Sequence, residues 1–286
     1  MKKLMIAALS VAAMCAYAEE TAESEDTPIF WGFGNYGIYS GYQRYGTLVN
    51  PEPTLQGYVE GNVNLLTDDF DLGYLGLGVW SNTDLTDRRR DMLGKAFNEW
   101  DFNLHYGKTF WFDDDKTWGL DYGTSLVWYY LPHRRHNAYN GSVKTTMEWN
   151  HSVALVNPFL TPFVDWVHEY HESNADLLQF GVRRGFAVTD DLTLTPSATL
   201  VYRDHRFNRY FPTAGGTEFH NGGLATLKFM VEAVYKFTDN FGVFAKVAFC
   251  STIDKDLRDA SDHTSGGDCG KYKDFVWGGL GVTFDF

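Results

Sequence analysis

From Leu192 the chain reads LTLTPSATLVYR. Leu192, Leu194, Ala198, Leu200 and Tyr202 fall on one face of an extended strand, and Thr193, Thr195, Ser197, Thr199 and Arg203 on the other. TLKFMVEAVYKF repeats the pattern, setting Leu227, Phe229, Val231, Ala233, Tyr235 and Phe237 against Thr226, Lys228, Met230, Glu232 and Lys236. WDFNLHYG sets Trp100, Phe102, Leu104 and Tyr106 against Asp101, Asn103, His105 and Gly107. VKTTMEWNHSV sets Val143, Met147, Trp149 and Val153 against Lys144, Thr146, Glu148, Asn150 and Ser152. About twelve such segments follow one another: 29–44, 53–66, 72–84, 98–112, 117–132, 142–156, 160–172, 175–188, 192–206, 223–237, 240–253 and 273–286. Each is about ten residues or longer, the length a tilted strand needs to cross a bilayer.

The linkers alternate in kind. Those at Thr67–Asp71, Asp113–Lys116, Asn157-Pro158, Thr189–Asp191 and Thr238-Asp239 are short and made of turn formers. Those at Leu85–Phe97, His133–Gly141, Phe207–Gly222 and Ile253–Tyr272 are longer. A secreted β-sandwich or lipocalin-like barrel would also alternate along its strands, but strict alternation of the linkers is the mark of an outer-membrane barrel. The expectation is an all-β protein: a closed antiparallel transmembrane β-barrel of about twelve strands, with short periplasmic turns and longer extracellular loops. An even strand count puts both ends of the chain on the periplasmic side. Closure is required, because an open edge in hydrocarbon leaves N–H and C=O groups unpaired at several kcal/mol each. Aromatic residues bracket the strands as interfacial rings do: Trp111, Phe112 and Trp118 about one turn, and Trp128, Tyr129 and Tyr130 at the far end of the next strand.

Composition agrees. Aromatic residues make up 17% of the 286-residue chain, with 28 glycines, and no window after the first eighteen residues approaches twenty uninterrupted apolar positions. Helical membrane spans are excluded there, and strand-forming residues abound. The chain opens on MKKLMIAALSVAAMCAYA, which has the basic, apolar and A-x-A parts of a secretory signal peptide. The expected organisation is a cleaved signal over 1–18, a short periplasmic segment over 19–28 and the barrel over 29–286. Met14, before Cys15, stands where a lipoprotein needs a small residue, so ordinary cleavage is expected. Loss of Lys2 and Lys3 takes the formal charge from −13 to −15, a balance that disfavours nucleic acid as a partner. Cys250 and Cys269 remain, and in an oxidising compartment they are expected to form a disulfide across the last long loop.

The last strand places Val276, Leu280, Val282, Phe284 and Phe286 on the lipid face and Trp277, Gly279, Gly281, Thr283 and Asp285 on the inner face. Ending on Phe286 fits a strand that must pair with the first. Gly281-Val282-Thr283-Phe284-Asp285-Phe286 resembles the C-terminal insertion signal of Gram-negative outer-membrane proteins, in which Gly281, Phe284 and Phe286 hold the recognised positions. That resemblance implies the barrel-assembly machinery and periplasmic chaperones as partners, together with outer-membrane lipids and lipopolysaccharide. PTLQG (Pro53–Gly57), LGLGVWSNTD (Leu75–Asp84) and EWDFNLHYG (Glu99–Gly107) resemble the first strands of the TorF-type porin family. There a proline–glycine strand is followed by a Gly/Trp/Ser/Asn strand and then an acidic one. Arg44, in GYQRYG, stands where that family has an early arginine. The resemblance covers the N-terminal third to half and implies a channel without catalytic residues.

The inner face then collects the acids Glu60, Asp101, Asp121, Glu148, Asp165, Glu169 and Glu232, and the bases Lys144, Arg183, Arg203, Lys228, Lys236 and Lys246. Gln56, Asn62, Asn103 and His105 join them. Acids come mostly from the first seven strands and bases from the last five. Such a lumen fits a narrow hydrated pore with a transverse field, passing small hydrophilic solutes; the alternative is a filled barrel whose charges pair internally and which works through its loops. A third reading takes Glu169, His171 and Ser173, at strand spacing, as a lipid hydrolase resembling the His-x-Ser outer-membrane enzymes. Their inward parity disfavours it, since the nucleophile must meet acyl chains, and a polar rim is the simpler account. His151 falls on the apolar face and has no role in any of these readings. His133-Arg134-Arg135-His136 and Arg88-Arg89-Arg90 are basic clusters in outer loops, suited to anionic lipopolysaccharide or plain solvation. The acidic last loop lacks regular ligand spacing, so no metal and no cofactor is expected.

Overall fold

A computed structural model describes residues 29–66, 71–86, 98–130, 145–171, 173–210, 221–262 and 274–286. The strands are β1 Phe30–Tyr39, β2 Tyr42–Arg44, β3 Thr47–Asn50, β4 Thr54–Leu66, β5 Asp71–Asp84, β6 Asn98–Trp111, β7 Gly119–Tyr130, β8 Thr145–Val156, β9 Thr161–Glu169, β10 Ala175–Arg183, β11 Phe186–Ala187, β12 Leu192–Arg203, β13 Gly223–Thr238, β14 Phe241–Thr252 and β15 Phe275–Asp285. Twelve of them form a closed antiparallel barrel. The order runs from β1 through β4, β5, β6, β7, β8, β9 and β10 to β12, β13, β14 and β15, and back to β1. The seam is a full ladder from Phe33 opposite Asp285 to Tyr39 opposite Gly279, extended by reciprocal backbone bonds between Gly32 and Phe286 at 2.7 and 3.0 Å. Among the described residues the ring of twelve strands has no open edge for lipid to meet.

The pleat sorts the side chains as the alternation predicts. Leu77 and Val276 are each 71% exposed and Leu280 66%, all on the outer face. Apolar side chains cover that face strand after strand, an inversion of the ordinary soluble pattern. At the short-turn end, Asp113 accepts the Thr117 and Trp118 amides at 2.9 and 3.0 Å and the Thr117 hydroxyl, so its carboxyl titrates below the usual carboxylate range.

Four sequence expectations change. The segment 29–44 is not one strand: β1 stops at Tyr39, and β2 and β3 form a separate hairpin. The segment 175–188 breaks after Arg183, and β11 resumes pairing with β12 opposite Thr193 and Leu194. Tyr129 is not part of the aromatic girdle; flanked by exposed Trp128 and Tyr130, it is 5% exposed and turned inward. The disulfide is absent, because Cys250 sits on the inner wall of β14, fully buried and opposite Lys228, as a free thiol. Cys269 lies outside the described residues, as do 1–28, Lys144, Arg88–Arg90 and His133–His136.

Candidate channel interior and its hairpin

Cross-strand register puts the sequence-derived polar residues on one face of the ring. Gln56, Glu60 and Asn62 on β4 lie in step with Asp101, Asn103 and His105 on β6 through β5. Asp121, Glu148, Asp165, Glu169 and Arg183 continue that face through β7, β8, β9 and β10. Arg203, Lys228, Glu232, Lys236 and Lys246 complete it on β12, β13 and β14.

The β2–β3 hairpin occupies the long-loop end of this interior. Its turn is Tyr45-Gly46, with φ of 48° and 76°, between the paired Arg44 and Thr47. Two left-handed residues make the two-residue turn whose twist matches a hairpin, and glycine suits the second position. A Cβ on Gly46 would also meet Thr226 of β13 at 2.5 Å. Tyr45 in that region costs about 1–2 kcal/mol, offset by what the side chain reaches. Its hydroxyl donates to Glu148 at 2.7 Å, and its ring packs edge-on against Phe207 at 5.9 Å. Phe207 lies on the short helix His205–Tyr210, whose first turn is capped by Asp204, which accepts the Phe207 amide at 2.7 Å. Phe207 completes an apolar cluster with Val167, Ala175, Leu177 and Val201.

Arg44 is the centre of the clamp. Its guanidinium pairs with Glu148, approaches Glu99 at 3.9 Å and lies 4.2 Å over the Tyr129 ring, while Tyr129 donates its hydroxyl to Glu148. From β12, three strands round the ring from Glu148, Arg203 donates to the Tyr45 carbonyl at 2.6 Å and to the Thr47 hydroxyl. The base of the hairpin is pinned at the Gly41 carbonyl, which accepts from Trp277 at 2.7 Å and Gln56 at 3.4 Å. Removing one member of so enclosed an ion pair strands the other charge, at about 3–5 kcal/mol. Arg44 is the residue that the family resemblance singled out. Tyr45, Glu99 and Tyr129 were missed, with the Tyr45-Gly46 turn pair as the available signal; Trp277 was placed on the inner face but given no role there.

Toward the short turns the interior opens. Asp165 and Glu232 are half-buried, Arg183 and Lys236 exposed. Lys246 pairs with Glu232 at 2.8 Å, Lys236 with Asp285 at 2.9 Å, and Asp121 accepts from Thr109 at 3.1 Å.

The Glu169, His171, Ser173 group is a turn cap. Glu169 is 2% exposed and accepts the His171 amide at 2.9 Å, the Asn174 amide at 3.2 Å and the Ser173 hydroxyl at 2.7 Å. The serine hydroxyl is thus held by the carboxylate, with no bond to the His171 ring among the described residues. His151 does lie on the outer face. It stacks on Trp166 at 5.2 Å and takes part in a hydrogen bond with the Tyr122 hydroxyl at 3.1 Å.

No family model matches the chain, and no curated protein does. Among solved structures it is similar to the COG4313 outer membrane channel from Pseudomonas putida F1, at 12% identity over 93% of this chain and 98% of that one, with a TM-score of 0.52. The likeness is one of fold. The NanC porin, at 10% identity and TM-score 0.47, covers 88% and 98% of the two chains. Outer membrane phospholipase A from Escherichia coli, at 10% and 0.45, covers 89% and 92%.

Proposed function

We propose that the chain is an outer-membrane channel of a Gram-negative bacterium that passes small hydrophilic solutes passively, with the first long loop folded inward as its constriction. The observation that carries this reading is the nature of the clamp. The hairpin is held across the interior by two guanidinium groups and a carboxylate, Arg44, Arg203 and Glu148, above a half in which Asp165 and Glu232 are half-buried and Arg183 and Lys236 exposed. A barrel filled for stability alone gains more from apolar side chains than from buried charge. The same reading takes residues 1–18 as an export signal, Gly281, Phe284 and Phe286 as the insertion signal, and lipopolysaccharide as the surrounding lipid.

The second reading, a closed structural barrel working through its loops, draws on the tight packing of the long-loop half, where Glu148 is 0% and Arg203 1% exposed. Planar-bilayer recording of the refolded, signal-free protein separates the two. A channel shows discrete steps that grow several-fold when residues 42–50 are replaced by a short Gly/Ser linker. Silence in both proteins, each folded and heat-modifiable, overturns the channel reading.

A further inference from the structure

On the β1–β7 side of the short-turn half, five inward rings form a continuous strip. Trp31 and Phe33 stack at 6.3 Å with 19° between planes, Phe33 meets Tyr58 at 5.6 Å, Trp31 meets Tyr74 at 5.1 Å, and Tyr74 stacks on His105 at 5.4 Å. All five are half-buried, so each keeps part of its ring open to the interior. Their posture has a cause in the neighbouring strand. Tyr58 lies across Gly78, Tyr74 across Gly107 and His105 across Gly123; a Cβ at these glycines would meet the rings at 3.0, 2.4 and 3.4 Å. With no side chain beneath them the rings have room to lie against the wall, Trp31 nearly parallel to Phe33 and Tyr74 to His105, with Tyr74 edge-on to Trp31.

Polar groups border the strip at fixed places. Asn64 accepts the Trp31 indole N–H at 3.0 Å, Glu60 accepts the Tyr58 hydroxyl, the Tyr74 hydroxyl meets His105 Nε2 at 3.3 Å, and Asp121 holds Thr109. Among the described inward residues of β1, β4, β5, β6 and β7 there is no lysine or arginine, while Glu60 and Asp121 bring carboxylates.

We infer that this strip is a binding site for neutral carbohydrate. Pyranose rings carry an apolar face of C–H groups, which a flat aromatic face removes from water and attracts through its negative quadrupole. Their hydroxyl rims need donors and acceptors beside that platform, which the amides, carboxylates and hydroxyls along the strip supply. Carboxylates with no base on their own wall disfavour an anionic sugar lying against it, so the strip discriminates by charge as well as by shape. The inference rests on the channel reading for its physiological use, because the strip lies on the path from the short-turn end to the hairpin.

The test reads binding apart from conduction. Saturation-transfer NMR with maltotriose on the refolded full chain in detergent should show transfer from aromatic protons to the sugar C–H groups. Binding should fall at least tenfold in Trp31→Ala and in Tyr74→Ala, and be kept within about threefold in Trp31→Phe. Trigalacturonate should bind at least tenfold more weakly than maltotriose, and Glu60→Gln with Asp121→Asn should narrow that gap. A conducting protein without sugar transfer, or with transfer unchanged in both alanine variants, overturns the site and leaves the channel. A silent barrel that still binds maltotriose through Trp31 upholds the site and removes the channel.

Discussion

At the long-loop end of the barrel Glu99, Glu148 and Arg203 are 1%, 0% and 1% exposed, whereas at the short-turn end Arg183 and Lys236, on the same inward face, are exposed. Both sets come from strands of the same alternation and similar length. The difference lies in what covers them. A nine-residue stretch, Tyr42–Asn50, enters one end and brings its own cation and hydroxyls to meet the wall, so Glu148 and Arg203, buried there, have partners on it. Nothing comparable among the described residues enters the other end, where Arg183 and Lys236 are exposed and Lys236 pairs with Asp285 at the rim. Depth of burial at the long-loop end is therefore set by the loop folded into it.

The comparison can be broken most strongly at Glu148. Glu148→Ala leaves Arg44 enclosed beside Tyr129 without its closest anion and is expected to cost about 3–5 kcal/mol, seen as a lower urea midpoint. Asp165→Ala, on the same face but in the open half, should cost less than about 1 kcal/mol. Equal losses at the two sites would remove the distinction between the halves. Gly46→Val comes next. The left-handed φ and the Thr226 contact at 2.5 Å oppose any Cβ, so about 1–2 kcal/mol should be lost, and the unseated hairpin should raise single-channel conductance while the barrel stays heat-modifiable.

Smaller effects sharpen the open half. Arg183→Gln should move ion selectivity toward cations by about fivefold at most, the ~1 kcal/mol of a unit charge at contact in water, read from the reversal potential in a salt gradient. An unchanged reversal potential would mean that ions do not pass Arg183. Smallest is Lys236→Ala. Its pair with Asp285 is about half exposed on both sides, and the urea midpoint should move by no more than ~0.5 kcal/mol.

Much of the architecture was legible before any coordinates. LTLTPSATLVYR and TLKFMVEAVYKF occupy β12 and β13 with the faces their alternation assigns, because Cβ direction in a strand is set by the backbone pleat alone. The hairpin was not legible. In GYQRYGTLVN the residues around Arg44 carry on the strand-like alternation, and the turn at Tyr45-Gly46 is a two-residue event inside it. Tyr129 stood between Trp128 and Tyr130 and looked like part of an interfacial band, yet parity turns it alone inward, onto Glu148. Cys250 and Cys269 invited a loop-closing disulfide, but Cys250 shares the parity of Lys246 on β14, and the pleat sets its thiol inside the wall.

What the sequence by itself determined was local: strand period, strand length, which face is apolar, and the order of short and long connections. Each follows from a few neighbouring residues and from the solvent on either side of the sheet. Only the tertiary structure decided that Arg44 meets Glu148, 104 positions away, that Arg203 reaches the same hairpin from β12, and that rings on one strand lie across glycines on the next. Those contacts exist only once the ring has closed and a loop has turned into it, and no local pattern encodes the distance across a barrel.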